Sequence, residues 1–294
     1  MSVADRLLFG TAGVPKSTEG TSTLSGIQRI AEIGLDCLEV EFVQGVKMGR
    51  DTAEKIREEA QKLDIKLSVH APYFINLNSA EEGKRLASQE RILSSARLAQ
   101  MLGASCVVIH LGFYGKNTPE QAYLKIKDGL KEVASFLKSE RNPVILRPET
   151  MGKKAQFGSL EEILQLTRDI DGVQPCLDFS HLHARSGKMN TYLEFHRILK
   201  KVEMKLGTQA LQNMHIHISG SVYSEKGEMK HVNLEESDFC FDEWIQALKH
   251  FDVRGMLICE SPEQGTDALM LKNLFYPSFK MPKKVPGTFL QGEK

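Results

Sequence analysis

Eight times along this chain a short apolar run of strand length gives way to a stretch with helical spacing. Most of the runs end in histidine, glutamate or aspartate. The segment Gln174-Pro175-Cys176-Leu177-Asp178-Phe179-Ser180-His181 is typical. Its apolar part is too short for a helix and reads as a buried strand. Asp178 and His181 then stand where that strand stops. The other strands fall at about residues 7–13, 37–42, 65–70, 106–110, 144–149, 214–219 and 255–262. Helices are expected over 23–33, 51–63, 81–102, 119–138, 160–168, 192–206, 241–251 and 267–275, with a long polar loop after the seventh strand. Gly34 and Gly103 close two of the helices, as glycine does past a helix C-terminus.

No composition break divides these units. The economical fold is α/β, a single (β/α)8 TIM barrel over residues 1–279, with 280–294 expected as a flexible tail. The alternative is an open doubly wound sheet, but Gly10, Gly13 and Gly20 have the wrong spacing for a dinucleotide-binding turn. The chain has 294 residues, 41% hydrophobic and 26% charged, and no uninterrupted apolar run of membrane-spanning length. The N-terminus lacks a signal-like pattern. A cytoplasmic monomer with no membrane contact is therefore expected. The five cysteines have no metal-ligand spacing, and four lie in strand-like runs, so they are expected as buried free thiols. Net charge is zero, which lowers the expectation of nucleic-acid binding without excluding it.

Barrel chemistry sits at the C-terminal ends of the strands. His70, His110, Glu149, Asp178 and Glu260 end strands three, four, five, six and eight, and His215 lies on strand seven. His181 and His231 lie in the loops beyond. That many carboxylates and imidazoles on one rim need a counter-charge, which a metal supplies. Neutral imidazole and carboxylate suit Zn²⁺, with Mn²⁺ or Fe²⁺ as alternatives. Eight ligands exceed one ion and imply a multinuclear site. His217 faces the same side of its strand as His215 and is expected as a supporting or barrel-layer residue. His183 is expected to be exposed or to face substrate. Glu39 and Glu41 share one face of strand two, where an interior ion pair is favoured over a site role.

These segments resemble endonuclease IV, the zinc-dependent apurinic/apyrimidinic endonuclease. Ser68-Val69-His70-Ala71-Pro72-Tyr73-Phe74-Ile75-Asn76-Leu77 is similar to the family's histidine segment after strand three. His110-Leu111-Gly112 resembles its His-Pro-Gly, and Arg147-Pro148-Glu149-Thr150 its Leu-Glu-Asn-Thr with the order altered. Asp178-Phe179-Ser180-His181 resembles its Asp-Thr-Cys-His, and Met214-His215-Ile216 and Cys259-Glu260-Ser261-Pro262 its last two strand ends. The resemblance implies hydrolysis of double-stranded DNA 5′ to abasic sites in base excision repair, by a metal-activated hydroxide, with catalysis centred on Glu149, Asp178 and Glu260. It implies two or three zinc ions. His70, His110, Glu149 and Glu260 would hold the first, Glu149 would bridge to a second with Asp178 and His215, and His181 and His231 would hold the third. The family's Asp-x-His in the loop after strand seven is Met229-Lys230-His231 here, so the third site lacks its aspartate unless Glu228 turns in. Tyr73 and Phe74 correspond to a wedge that opens the duplex. Lys47, Arg50, Lys153, Lys154, Arg185 and Lys188 lie in rim loops that could meet phosphates. Two other readings stand beside this one: a metal-dependent sugar or sugar-phosphate isomerase or epimerase, and an abasic-DNA-binding protein with a weakened catalytic site.

Overall fold

The structure, a computed structural model, describes residues 5–277 except 44 and 188. The expected tail at 280–294 and Lys188 lie outside the described residues. The chain alternates strand and helix as β1 (Leu7–Ala12), α1 (Thr23–Glu32), β2 (Cys37–Glu41), α2 (Arg50–Lys62), β3 (Lys66–His70) and α3 (Glu82–Leu102). It continues with β4 (Cys106–Ile109), α4 (Pro119–Ser139), β5 (Ile145–Pro148), α5 (Leu160–Asp169), β6 (Cys176–Asp178) and α6 (Phe179–Ser186). The last third holds α7 (Tyr192–Leu206), α8 (Thr208–Leu211), β7 (Met214–Ile218), β8 (Gly220–Ser224), β9 (Gly227–Val232), α9 (Phe241–His250), β10 (Gly255–Cys259) and α10 (Gln264–Phe275).

Eight parallel strands follow one another in the order β5-β4-β3-β2-β1-β10-β7-β6. Single bridges, Leu146 to Val173 and Glu149 to Cys176, join β5 to β6 and nearly close the barrel. Local sequence explains the sharper boundaries. Thr118 and Gln121 form a capping box ahead of Pro119 at the start of α4, and Ser159 with Glu162 does the same for α5. Phe179, Phe195, Phe239 and Trp244 are buried and pack ring against ring between the barrel and α6, α7 and α9. Burying one such ring contributes roughly 1.5–3 kcal/mol. Among the described residues, no helix is long and apolar enough to cross a membrane.

Two rim segments differ from the sequence expectation. β6 stops after three residues because Asp178 turns into an N-cap, its Oδ1 accepting the His181 backbone N–H at 2.7 Å. His181 and His183 therefore ride on a helix, α6, and not on a loop. The long polar loop after β7 is a hairpin, β8–β9, that folds back over α6.

Candidate metal centre

The strand ends converge on a cavity of about 300 Å³ at the C-terminal rim, bordered by His70, His110, His181, Glu228, His231 and Glu260. Glu149 is its pivot. Oε2 lies 2.9 Å from His110 Nε2 and 3.5 Å from His70 Nε2, and Oε1 lies 3.0 Å from His181 Nδ1 and 3.6 Å from His217 Nδ1. Five sets of side chains among the described residues bring potential ligand atoms together: His70, His110 and Glu149; Glu149, Asp178, His217 and Glu260; His181, Glu228 and His231; and, deeper in the barrel, Glu39, His70 and Glu260, and Cys176, His215 and His217. Glu149 belongs to the first two.

His215 joins only the set with Cys176 and His217, and none that contains Glu149 or Asp178. Its Nε2 meets Glu39 Oε2 at 2.8 Å, its Nδ1 faces Cys106 Sγ at 3.6 Å, and it borders cavities at the opposite end of the barrel. His217 stands where His215 was expected, with Nδ1 3.1 Å from Glu260 Oε1. Strand register is the reason. β7 continues to Ile218, and Asp178 pairs with His217 while Cys176 pairs with His215. Two residues along a strand is a rise of about 6.6 Å on the same face, which is one full barrel layer. Glu260 is grouped with Glu149, Asp178 and His217, and also with His70 and Glu39, but not with His110. The expected strand, 214–219, already held the signal: counting back from its end puts His217 in the rim layer.

The third set is completed by Glu228. Its Oε1 is 3.0 Å from His231 Nε2 and its Oε2 3.4 Å from His181 Nε2. In a regular strand residues 228 and 231 would face opposite sides. The register of β8–β9 shifts between Val222 and Tyr223: Val222 faces Lys230 and Tyr223 faces Glu228, leaving Met229 without an opposite number. This bulge turns Glu228 and His231 inward together, while Met229 points out and is 63% exposed. Gly152 makes room, since a Cβ there would sit 2.7 Å from Glu228 Cβ and 3.0 Å from His181 Cδ2. Glu228→Ala is therefore expected to lose one equivalent of bound metal, and Met229→Asp to gain none. Elemental analysis of the two purified variants checks this, and a gain for Met229→Asp would contradict the geometry.

Backbone carbonyls set the imidazole tautomers. His70 Nδ1 meets Ala71 O at 2.8 Å, His181 Nδ1 meets Thr150 O at 2.9 Å and His231 Nδ1 meets Glu260 O at 3.3 Å. A carbonyl only accepts, so each Nδ1 carries a proton, and in the neutral ring each Nε2 is the nitrogen left to ligate, facing the carboxylates. Glu149 Oε1, Asp178 Oδ2 and His217 Nδ1 are fully buried and make no hydrogen bond. Lone pairs aimed at carboxylates, and orphaned oxygens beside them, fit a cation between them.

Without a metal, the same carboxylates draw protons onto these rings. Burial opposes charge on His70, but Glu149, Glu39 and Glu260 outweigh it and carry the ring up to about 9. For His231 burial is again overcome, by Glu228 and Glu260, and the ring also rises to about 9. Burial lifts Asp178 to about 6 and Glu41 to about 7. Burial also opposes ionisation of Glu149, yet His110 and His217 hold it well below the usual carboxylate range.

The remaining expected positions divide. Tyr73 is half-exposed, its ring 5.5 Å from that of His70 and 5.4 Å from that of His110, while Phe74 is 69% exposed beyond it. Phe113, not singled out from sequence, also borders the cavity with an exposed ring. Lys47 is exposed, and Arg50 is exposed and paired with Glu54 at 2.9 Å. Lys153 borders the cavity. Arg185, expected in a loop facing phosphates, lies on α6 and turns inward. Its Nη1 donates to the carbonyls of Met151, Lys153 and Gln156 at 3.2, 2.7 and 3.1 Å, and its Nη2 to the Tyr114 hydroxyl at 3.2 Å. The loop after β5 has carbonyls that no strand satisfies, and the guanidinium fork takes them. His183, expected to be exposed or substrate-facing, is buried beside Asp238 at 3.1 Å. Cys37, Cys106, Cys176 and Cys259 are buried free thiols, and Cys240 is exposed.

A profile of the xylose isomerase-like TIM barrel family matches residues 27–274. An uncharacterized protein of Methanocaldococcus jannaschii is 42% identical over 270 residues, 92% of this chain and 97% of its own. A probable endonuclease 4 of Mycoplasma pneumoniae is 26% identical over 222 residues, covering 74% of this chain and 75% of its own. Among solved structures, a D-tagatose 3-epimerase-like protein superposes with a TM-score of 0.67 at 20% identity, over 91% of this chain and 95% of its own.

Proposed function

This chain belongs to the xylose isomerase-like TIM barrel family, and from that premise we propose that it is a metal-dependent phosphodiesterase cleaving duplex DNA 5′ to abasic sites. One observation carries the reading: the His181–Glu228–His231 set, which the bulge at Met229 completes beside the two sets that share Glu149. A sugar epimerase works with one or two ions and has no use for a third set. When bound, zinc ions in such sites activate water and neutralise the charge of an in-line phosphoryl displacement. His70, His110 and Glu149 would hold one ion, Glu149, Asp178, His217 and Glu260 a second, and His181, Glu228 and His231 the third. The kinship to a probable endonuclease 4 supports the same substrate. Lys153 at the cavity would meet a phosphate, and Tyr73, Phe74 and Phe113 offer aromatic faces for a base or sugar displaced from the stack.

A second reading has its own observation. Glu149, Asp178, His217 and Glu260 form a self-sufficient four-ligand set, and the cavity of about 300 Å³ suits a monosaccharide. That reading is a one-metal ketose epimerase, in line with the D-tagatose 3-epimerase-like fold neighbour. One experiment separates them: metal content by elemental analysis, with parallel assays for nicking of a duplex carrying one abasic site and for C3 epimerisation of D-tagatose. Close to three metals and chelator-sensitive nicking are expected. One metal with epimerisation and no nicking selects the second reading, and abasic-duplex binding without cleavage selects a binding protein.

A further inference from the structure

Behind the rim lies a buried chain of polar groups that ends on His217 of the Glu149–Asp178–His217–Glu260 set and whose deeper members, Glu39 and His215, belong to none of the three rim sets. Glu39 sits at its centre on β2 and is fully buried. Its Oε1 is 3.0 Å from His217 Nε2. Its Oε2 is 2.8 Å from His215 Nε2 and accepts from Ser68 Oγ at 2.8 Å. His215 Nδ1 then faces Cys106 Sγ at 3.6 Å. Three facts follow from donor and acceptor chemistry. An ionised carboxylate only accepts, so the bond to Oε2 puts a proton on His215 Nε2; His217 Nε2 lies 3.0 Å from Oε1 without hydrogen-bond alignment, and the negative charge of Oε1 favours a proton on that nitrogen. With a proton on Nε2, neutral His217 turns the lone pair of Nδ1 toward Glu149 and Glu260. His215 Nδ1 is likewise an acceptor, which matches a thiol S–H from Cys106.

Resting on the metal reading above, we propose that Glu39 is the positioning residue of the Glu149–Asp178–His217–Glu260 site: it fixes the ring and tautomer of His217 and supplies the negative charge that strengthens its Nδ1 as a ligand. Carboxylate partners behind metal-bound histidines act in this way, and their loss typically weakens metal binding about 10–100-fold. His215 is then an anchor for Glu39, which explains why a histidine one layer too deep is present at all. It holds Oε2 in place so that Oε1 remains directed at His217.

The Glu39→Gln variant separates this role from plain packing. A glutamine side chain would keep size and shape but offer one acceptor oxygen to two N–H donors, so one imidazole must rotate or shift its proton. The test is chelator-competition titration of Zn²⁺ on wild-type, Glu39→Gln and Glu39→Asp proteins, with the visible absorption spectrum of each loaded with Co²⁺. In Glu39→Gln a single metal equivalent is expected to weaken about 10–100-fold, with a shifted Co²⁺ band, while the remaining equivalents hold at wild-type affinity. Glu39→Asp keeps the charge but is one methylene short of bridging both rings, so it should move in the same direction; it serves if Glu39→Gln fails to fold. Wild-type affinity and an unaltered Co²⁺ spectrum in both variants overturns the positioning role while leaving the metal centre intact. A wild-type protein that takes up no Zn²⁺ overturns the metal reading itself.

Discussion

Glu149→Gln is expected to lower cleavage at abasic sites by about 10³-fold or more, roughly 4 kcal/mol of lost transition-state stabilisation, and to release at least one equivalent of metal. Among the described residues, no other side chain touches as much of the centre. Four histidines, His70, His110, His181 and His217, lie within 3.6 Å of its two oxygens. It is also common to two ligand sets, so one substitution damages both. Glutamine keeps the volume and removes the charge, which separates electrostatics from packing. Elemental analysis and a single-turnover nicking assay read the two effects independently. Full metal content with wild-type cleavage would remove Glu149 from the centre of the site. Metal loss is expected even if the substrate proves to be a sugar, so the first readout does not depend on the second.

Protein stripped of metal by a chelator is expected to be most stable between about pH 4.5 and 6.5, and to lose stability steadily toward pH 9. The direction follows from the shifted groups. His70 and His231 rise from an ordinary 6.5 to about 9 in the folded chain. Their contribution is complete below 6.5 and is lost as pH climbs through 9. For His70 the span corresponds to at most about 3 kcal/mol, shared with the carboxylates that cause it. Asp178, raised to about 6, and Glu41, raised to about 7, are also protonated more readily when folded, so they push the optimum the same way. On the acid side Glu149 and Glu228 are held low by neighbouring histidines, and their contribution disappears as pH falls below 4.5. Metal-loaded protein should behave otherwise. Its imidazoles must be neutral to bind, so rising pH strengthens binding and offsets the loss. Melting curves from pH 5 to 9, with and without EDTA, should diverge as pH rises. Parallel curves would mean that these histidines do not exchange protons for metal.

Much of this centre is legible in sequence because a barrel strand carries its chemistry at its last residue. His70, Glu149, Asp178 and Glu260 stand at strand ends read directly from where apolar runs stop. Most of what escapes is decided by geometry that no run of letters records. His215 and His217 share one face of β7, and the register against β6 places the one nearer the strand's end in the rim layer. Glu228 is one residue out of phase with the expected spacing, and only a bulge at Met229 brings it back. Arg185 looks like a free cation in a loop, yet unsatisfied carbonyls nearby claim it. Helix α6 is invisible because the residue that caps it, Asp178, is also the residue that ends the strand.

Arg185 and Gly152 have a further consequence. The arginine ties α6 to the loop after β5, and that loop bonds in turn to the hairpin, with Lys153 bridged to Gly227 and Lys154 N–H donating to Lys226 O at 3.2 Å. Glu228 and His231 on β9 and His181 on α6 thus ride on two segments bolted through the loop after β5 into a single plate. A plate of this kind cannot swing as an independent flap. For the proposed duplex substrate, the exposed Tyr73 and Phe74 on the segment after β3 mark the bank from which it would enter. The mouth would then open on one side only, and a long substrate would have a fixed direction of approach.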